Sequence, residues 1–344
     1  MNPRTASAIA AAALVMAACS SAPDTSEVVL MTHDSFLVSE EVLGEFTEDT
    51  GITVILIQAG DAGAMVNRAI LTKDHPLADV LYGVDNTFLS LALSEELFIP
   101  YRSTEIDHVP TELRDPEDRV TPIDFGDVCL NTDIAGLAAL GIDPPATLRD
   151  LTESEYASLL VVQDPSTSSP GLAFLLATID TFGEEGDYTW HDYWLDLVAN
   201  DVRITPGWEA AYNLEFSGGS GGGTRPIVVS YATSPPAEVF FGDLDEAPTG
   251  VVTAGCFRQI EYAGILAGTS NEQPARLLVD YLLSLRFQED VPLNMFVFPA
   301  NRDAALPSVF VEHATLPDSP VTMDPDRIDQ NRDRWITEWA AIVR

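Results

Sequence analysis

Short β-branched and apolar runs alternate with helical patterns along this chain, and that alternation narrows its fold more than any other feature. Strand patterns at 28–31, 52–57 and 78–82 enclose helical patterns at 40–48 and 62–72, a βαβαβ beginning. The alternation resumes with a strand at 159–162, helices at 170–182 and 188–200, and strands at 202–204 and 227–231. Such an order predicts an α/β architecture of mostly parallel sheets flanked by helices, with the functional loops at the carboxyl ends of the strands. Two more helices are expected at 272–284 and 329–342, and Trp335 and Trp339 on the latter read as core anchors at an i, i+4 spacing. No internal repeat is visible. The segment 217–224, reading Ser-Gly-Gly-Ser-Gly-Gly-Gly-Thr, reads as a flexible loop and lacks the Gly-Lys-Ser/Thr ending of a phosphate loop.

The chain has 344 residues, past the size at which one core keeps growing, so two lobes are expected. Its start reads as a leader: Arg4 precedes an apolar run at 6–18, too short to span a bilayer, and 1–18 are assigned to a signal peptide. Leu14-Val15-Met16-Ala17-Ala18-Cys19 resembles a bacterial lipobox, with Cys19 lipidated and 19–27 a tether. Ordinary cleavage after an A-x-A-like site, with Cys19 incidental, is the alternative.

Acidic residues number 54 against 17 basic ones, for a formal charge of −37. A polyanion would be repelled over most of such a surface, which excludes nucleic-acid binding. The charge reads as a solvated acidic surface rather than as a device for attracting cations. Cys129 and Cys256 remain beside Cys19; they form either a disulfide or two free buried thiols.

Motifs for chemistry are absent. His33, His75, His108, His191 and His313 are scattered, with no H-E-x-x-H and no zinc spacing, so no metal is expected. The run Asp324-Pro325-Asp326-Arg327-Ile328-Asp329 fails as a calcium loop because Ile328 stands where an oxygen ligand belongs. No G-x-S-x-G elbow supports hydrolysis. Thr167-Ser168-Ser169-Pro170-Gly171, by contrast, follows a strand and opens a helix, gathering hydroxyls and free amides where an anionic oxygen could sit; a plain helix cap would account for it too.

Seven segments in order carry a family likeness: Thr32-His33-Asp34-Ser35-Phe36; Gly60-Asp61-Ala62-Gly63 with Asn67-Arg68; Ala78 through Asn86; Gln163 through Gly171; Gly207-Trp208-Glu209-Ala210-Ala211-Tyr212; Val229 through Pro235; and Phe287-Gln288 with Pro292 through Pro299. Together they resemble the thiamine-binding proteins of ABC importers, a branch of the two-lobed type II periplasmic-binding-protein superfamily. The resemblance implies a ligand cleft between lobes, lobe 1 comprising 28–128 plus 258–344 and lobe 2 comprising 129–257. It implies capture of thiamine or a thiamine phosphate and delivery to a permease, by a monomer that touches the membrane only through its lipid. No cofactor and no catalysis are implied.

In that family the matches of Asp61, Ala62, Ser168 and Ser169 contact ligand. Trp208 resembles the family's stacking tryptophan, and Tyr231, Ala232, Thr233 and Ser234 match a segment that supplies a phenol and polar contacts. A thiazolium cation suits π-faces with a carboxylate counter-ion nearby, for which Asp34 is the candidate; Asp34 could equally cap the following helix. His33 stands where members often have Tyr, and Phe296 where some have Trp. Both chain crossings, near 124–131 and 255–262, contain a cysteine, so a Cys129–Cys256 bond would tie the hinge. The rivals are another cargo on the same fold, such as ferric ion, polyamine or sugar, and an exported hydrolase. Ferric binders of this fold use adjacent tyrosines, whereas Tyr231 is followed by Ala232.

Overall fold

The computed structural model describes residues 26–219 and 221–344. The expected leader and Cys19 lie outside the described residues. Among the described residues ten strands form one sheet: β1 (Ser26–Thr32), β2 (Ile52–Gln58), β3 (Val80–Asp85), β4 (Phe98–Ile99), β5 (Thr121–Asp133), β6 (Leu160–Gln163), β7 (Arg203–Thr205), β8 (Ile227–Tyr231), β9 (Thr249–Leu266) and β10 (Phe298–Pro299). Their order is β2-β1-β3-β9-β5-β8-β6-β7, with β4 on β9 and β10 on β5.

Two parallel sets sit at the ends of that order. β1 pairs in parallel with β2 and β3, and β6 pairs in parallel with β7 and β8. All six residues of β3 are buried, as suits a strand covered on both faces. Helices cover these sets and start where the sequence caps them. Ser39 Oγ accepts from Val42 N before Glu40–Thr50, and Gly51 ends that helix at φ 72°. Asp61 caps Ala62–Leu71.

Two long antiparallel strands join the sets into the two-lobed fold. β5 and β9 pair from Thr121↔Ala263 to Asp133↔Thr249, and each borders both lobes. Their register shifts between Val128 and Leu130, where Gly255 turns with φ +74°. Cys129 and Cys256 meet at this irregularity, Cα atoms 4.4 Å apart, and are joined through their sulfurs.

The last helix, Pro325–Val343, starts four residues before the expected position because Asp324 Oδ1 accepts from Asp326 N at 2.8 Å and Pro325 fits the first turn. It buries Trp335 and Trp339, and Trp339 meets Trp194 edge-on at 5.6 Å. Trp194 lies on the Trp190–Ala199 helix of the second lobe. The Arg332 guanidinium stands 5.6 Å over Phe88, beside the Leu89–Ser94 helix of the first. This last helix thus touches residues beside both parallel sets. Among the described residues no helix is long and apolar enough to cross a membrane.

Candidate functional site

A cavity of about 290 Å³ opens where the strand ends of the two lobes face each other. His33 and Asp34 follow β1, Asp61 follows β2, Ser169 follows β6, Trp208 follows β7, and Tyr231 and Ser234 stand at the end of β8. All of these line the cavity, as do Ala62 and Phe296. Convergence of strand carboxyl ends is the placement that α/β sheets give to ligands.

Three expected site residues do not reach the wall. Ser168, Ala232 and Thr233 are fully buried behind it. Ser168 is drawn inward by its N–H bond to the Asp164 carbonyl, and Ala232 by an N–H bond to the Asp127 carbonyl and packing on the Cys129–Cys256 pair. Thr233 is the turn residue before the Ser234–Gly242 helix.

Trp208 is held on two sides. Its Nε1–H donates to Ser230 Oγ at 2.9 Å, and its ring stacks on Tyr212 with centroids 5.0 Å apart. Tyr212 lies in a π-helical turn, Ala210–Glu215, and its hydroxyl donates to Glu238 Oε1 at 2.8 Å. Turns of this kind cluster at functional sites because the extra residue re-aims side chains. Tyr231 and Gln259 share hydrogen bonds at 3.1 and 3.3 Å, and Gln259 Nε2 donates to Glu261 Oε1 at 3.1 Å.

Phe296 adopts φ +53° and meets Phe241 of the opposite lobe at 5.4 Å. Ser35 Oγ donates to Glu209 Oε1 at 3.0 Å, also across the cleft.

Glu209, Tyr212, Asn213, Glu238 and Glu261 line the cavity although the sequence reading did not single them out. Tyr212 follows Trp208 by four residues on its own helical turn, a spacing that could have found it, whereas nothing of the kind marks Glu209, the next residue. Glu261 carries no such signal, since β9 brings it in from the other side of the sheet.

The cavity floor is rich in buried acid. His33 Nε2 lies 3.4 Å from Glu261 Oε2, and the Tyr82 hydroxyl donates to Asp124 Oδ2. Gly83, at φ +100°, lets the His33 ring lie against the backbone, because a Cβ there would collide with it. Burial alone would push His33 down, but Glu261 beside it holds the imidazole up at about 9. Burial raises Asp85 to about 7 and, reinforced by Glu261, puts Asp124 well above the usual carboxylate range. Burial also raises Asp61, against the opposing Trp208 N–H.

These shifts share one sign: the folded chain binds protons more tightly than the unfolded one, so stability falls as pH rises. The share from Asp85 is lost between its ordinary 3.8 and about 7. The share from His33 is complete below its ordinary 6.5 and gone above about 9. The denaturation midpoint is expected to drop steadily from pH 6.5 to pH 9, and His33→Gln is expected to flatten that interval. A flat or rising midpoint in the unaltered chain would contradict the assignment.

Two lobes closing on an aromatic and acidic cavity define a binder of small solutes. Among the described residues no group of three or more His, Cys, Asp or Glu could hold a metal ion. Residues 75–322 match the profile described as bacterial extracellular solute-binding protein, and the chain belongs to that family. It is a binding protein, not an enzyme.

The chain is 28% identical over 339 residues to the thiamine-binding periplasmic protein of Brucella suis biovar 1, covering 96% of each chain. To that of Escherichia coli K12 it is 28% identical over 320 residues, covering 92% of this chain and 93% of the relative. A solved periplasmic thiamin binding protein superposes with a TM-score of 0.81 at 26% identity, over 92% of this chain and 96% of the other.

Proposed function

We propose that this chain captures thiamine or a thiamine phosphate outside the cytoplasm and hands it to the permease of an ABC importer. The observation that carries this reading is Trp208, a firmly seated indole on the cavity wall among the carboxylates Asp34, Asp61, Glu209, Glu238 and Glu261. A flat heteroaromatic cation is attracted both to π-faces and to nearby negative charge, and thiamine is such a molecule. The thiamine-binding relatives support the same cargo.

In this reading Trp208, Tyr231 and Phe296 supply ring contacts, Asp34 and Glu261 supply counter-charge, His33, Ser169 and Ser234 supply polar edges, and Ala62 supplies an apolar contact. Ligand touching both lobes, 28–128 plus 258–344 and 129–257, favours the closed state that a permease recognises. Cys19 would carry the lipid that keeps the protein at the membrane, and the carrier acts as a monomer.

Calorimetric titration of the purified chain with thiamine, its two phosphates and spermidine tests the cargo. Heat and thermal stabilisation are expected with a thiamine form and not with spermidine. No response to any thiamine form would end the thiamine reading while leaving the fold and family intact. Trp208→Ala is expected to weaken binding by about 1–3 kcal/mol through lost stacking and burial. Unchanged affinity would reduce Trp208 to a scaffold residue.

A further inference from the structure

Ser234, Ala237, Glu238 and Phe241 all line the cavity, and all belong to the Ser234–Gly242 helix. Offsets of three, four and seven residues put them on one face of it. Ser234 and Ala237 are small and leave room for a solute. Phe241 is not: it stands on the last turn, 67% exposed, where Asp243 ends the helix at φ 50°. A large apolar ring that borders a cavity yet faces water forms an edge that a bound solute can cover.

The partner of that ring comes from the other lobe. Phe296 meets Phe241 at 5.4 Å with 57° between the ring planes. Phe296 holds φ +53°, a conformation that bulky residues adopt only at a cost. On either side of it, Met295 and Val297 pack against the core around β1 and β3. The left-handed turn between these anchors keeps the Phe296 ring on the cavity wall, against the ring from the second lobe.

We propose that Phe241 is a further ligand-contacting residue, which closes with Phe296 on bound thiamine and thereby governs release rather than capture. The proposal rests on the thiamine reading and deepens it. A solute in the cavity covers apolar ring surface that water otherwise touches, and a cationic ring gains from the π-face besides. Both rings reach the solute only when the lobes are together, so this gain belongs to the closed state alone and draws the equilibrium toward it. Capture precedes closure and is steered by the carboxylates of the cleft. Escape requires the aromatic contact to part, which places its effect in the dissociation rate.

The test is stopped-flow measurement of thiamine binding, read by intrinsic tryptophan fluorescence, on the unaltered chain, Phe241→Ala, Phe241→Leu and Phe240→Ala. Phe241→Ala is expected to raise the dissociation rate about tenfold or more and to leave the association rate within about threefold. Phe241→Leu keeps apolar area without a π-face and is expected to fall between. Phe240 is also exposed and neighbours both rings but does not line the cavity, so Phe240→Ala is expected to move either rate by less than about threefold. Because Phe241 is mostly exposed, ligand-free melting curves of its variants are expected to overlay that of the unaltered chain, which separates the rates from folding.

A dissociation rate unmoved in Phe241→Ala overturns the proposal. So does a loss confined to the association rate, and so does an equal acceleration in Phe240→Ala, which would make the effect one of the surface patch and not of the cavity. An unaltered chain that binds no thiamine form overturns the thiamine reading and this inference together, whereas any of the former results with thiamine bound overturns this inference alone.

Discussion

Replacing Cys129 and Cys256 together by alanine is expected to destabilise the protein by about 2–5 kcal/mol. The two residues are 127 positions apart, so their bond closes a long loop and removes a large share of the conformations open to the unfolded chain. The bond joins β5 to β9 at one of the two places where the pairing of these strands is irregular, between Val128 and Leu130, where the ladder is interrupted. Neither cysteine lines the cavity, so ligand affinity in the folded variant is expected to stay within a few-fold of the unaltered chain. Guanidinium denaturation with and without reductant checks the effect. Coincident curves, together with two alkylated cysteines in unreduced denatured protein, would show that the bond does not form in the exported chain.

Trp339→Ala is expected to cost about 3–5 kcal/mol, the usual loss for a buried tryptophan in a core that cannot collapse around the gap. Trp339 is 1% exposed and fits edge-on against Trp194. The Pro325–Val343 helix reaches the second lobe through that pair and through Arg334–Glu184 and His191–Glu338, which are partly exposed and contribute little by themselves. The variant is expected to lose protection of helix amides in hydrogen exchange before the rest of the protein does. Uniform loss of protection would mean that the helix is no separate unit.

The parallel triads were legible in the sequence because their strands are short apolar runs punctuated by helices, as at 52–57 and 227–231. The two strands that unite them were visible only as crossings. β5 is buried along nearly its whole length yet contains Pro122, Asp124 and Asp127, and β9 contains Arg258, Gln259 and Glu261. Such residues look like loop until their partners are known. Asp127 is paired with Arg258, Asp124 with Tyr82, and Glu261 with His33 and Gln259, all but the last from distant parts of the chain.

Site residues divide the same way. Those at strand ends, from His33 to Ser234, could be located because topology places such ends at the cleft. Glu261 could not, since its side chain reaches the cavity only through the antiparallel register of β9. In the fold the Ser169 amide donates to Asp61, 108 residues earlier, and the Ser168 amide to the Asp164 carbonyl, and neither partner is readable from the local sequence.

The position of β9 also governs when this chain can fold. β3 and β5 both pair with it, so both keep open edges until residues 249–266 have been synthesised. The bridging helix arrives later still. A growing chain can form near pairings such as Ser26↔Ile52, but not the central ladder, where Val80 must wait for Ile265. For a protein that acts outside the cytoplasm, this order makes the ladder that unites the two halves the last part of the sheet to form.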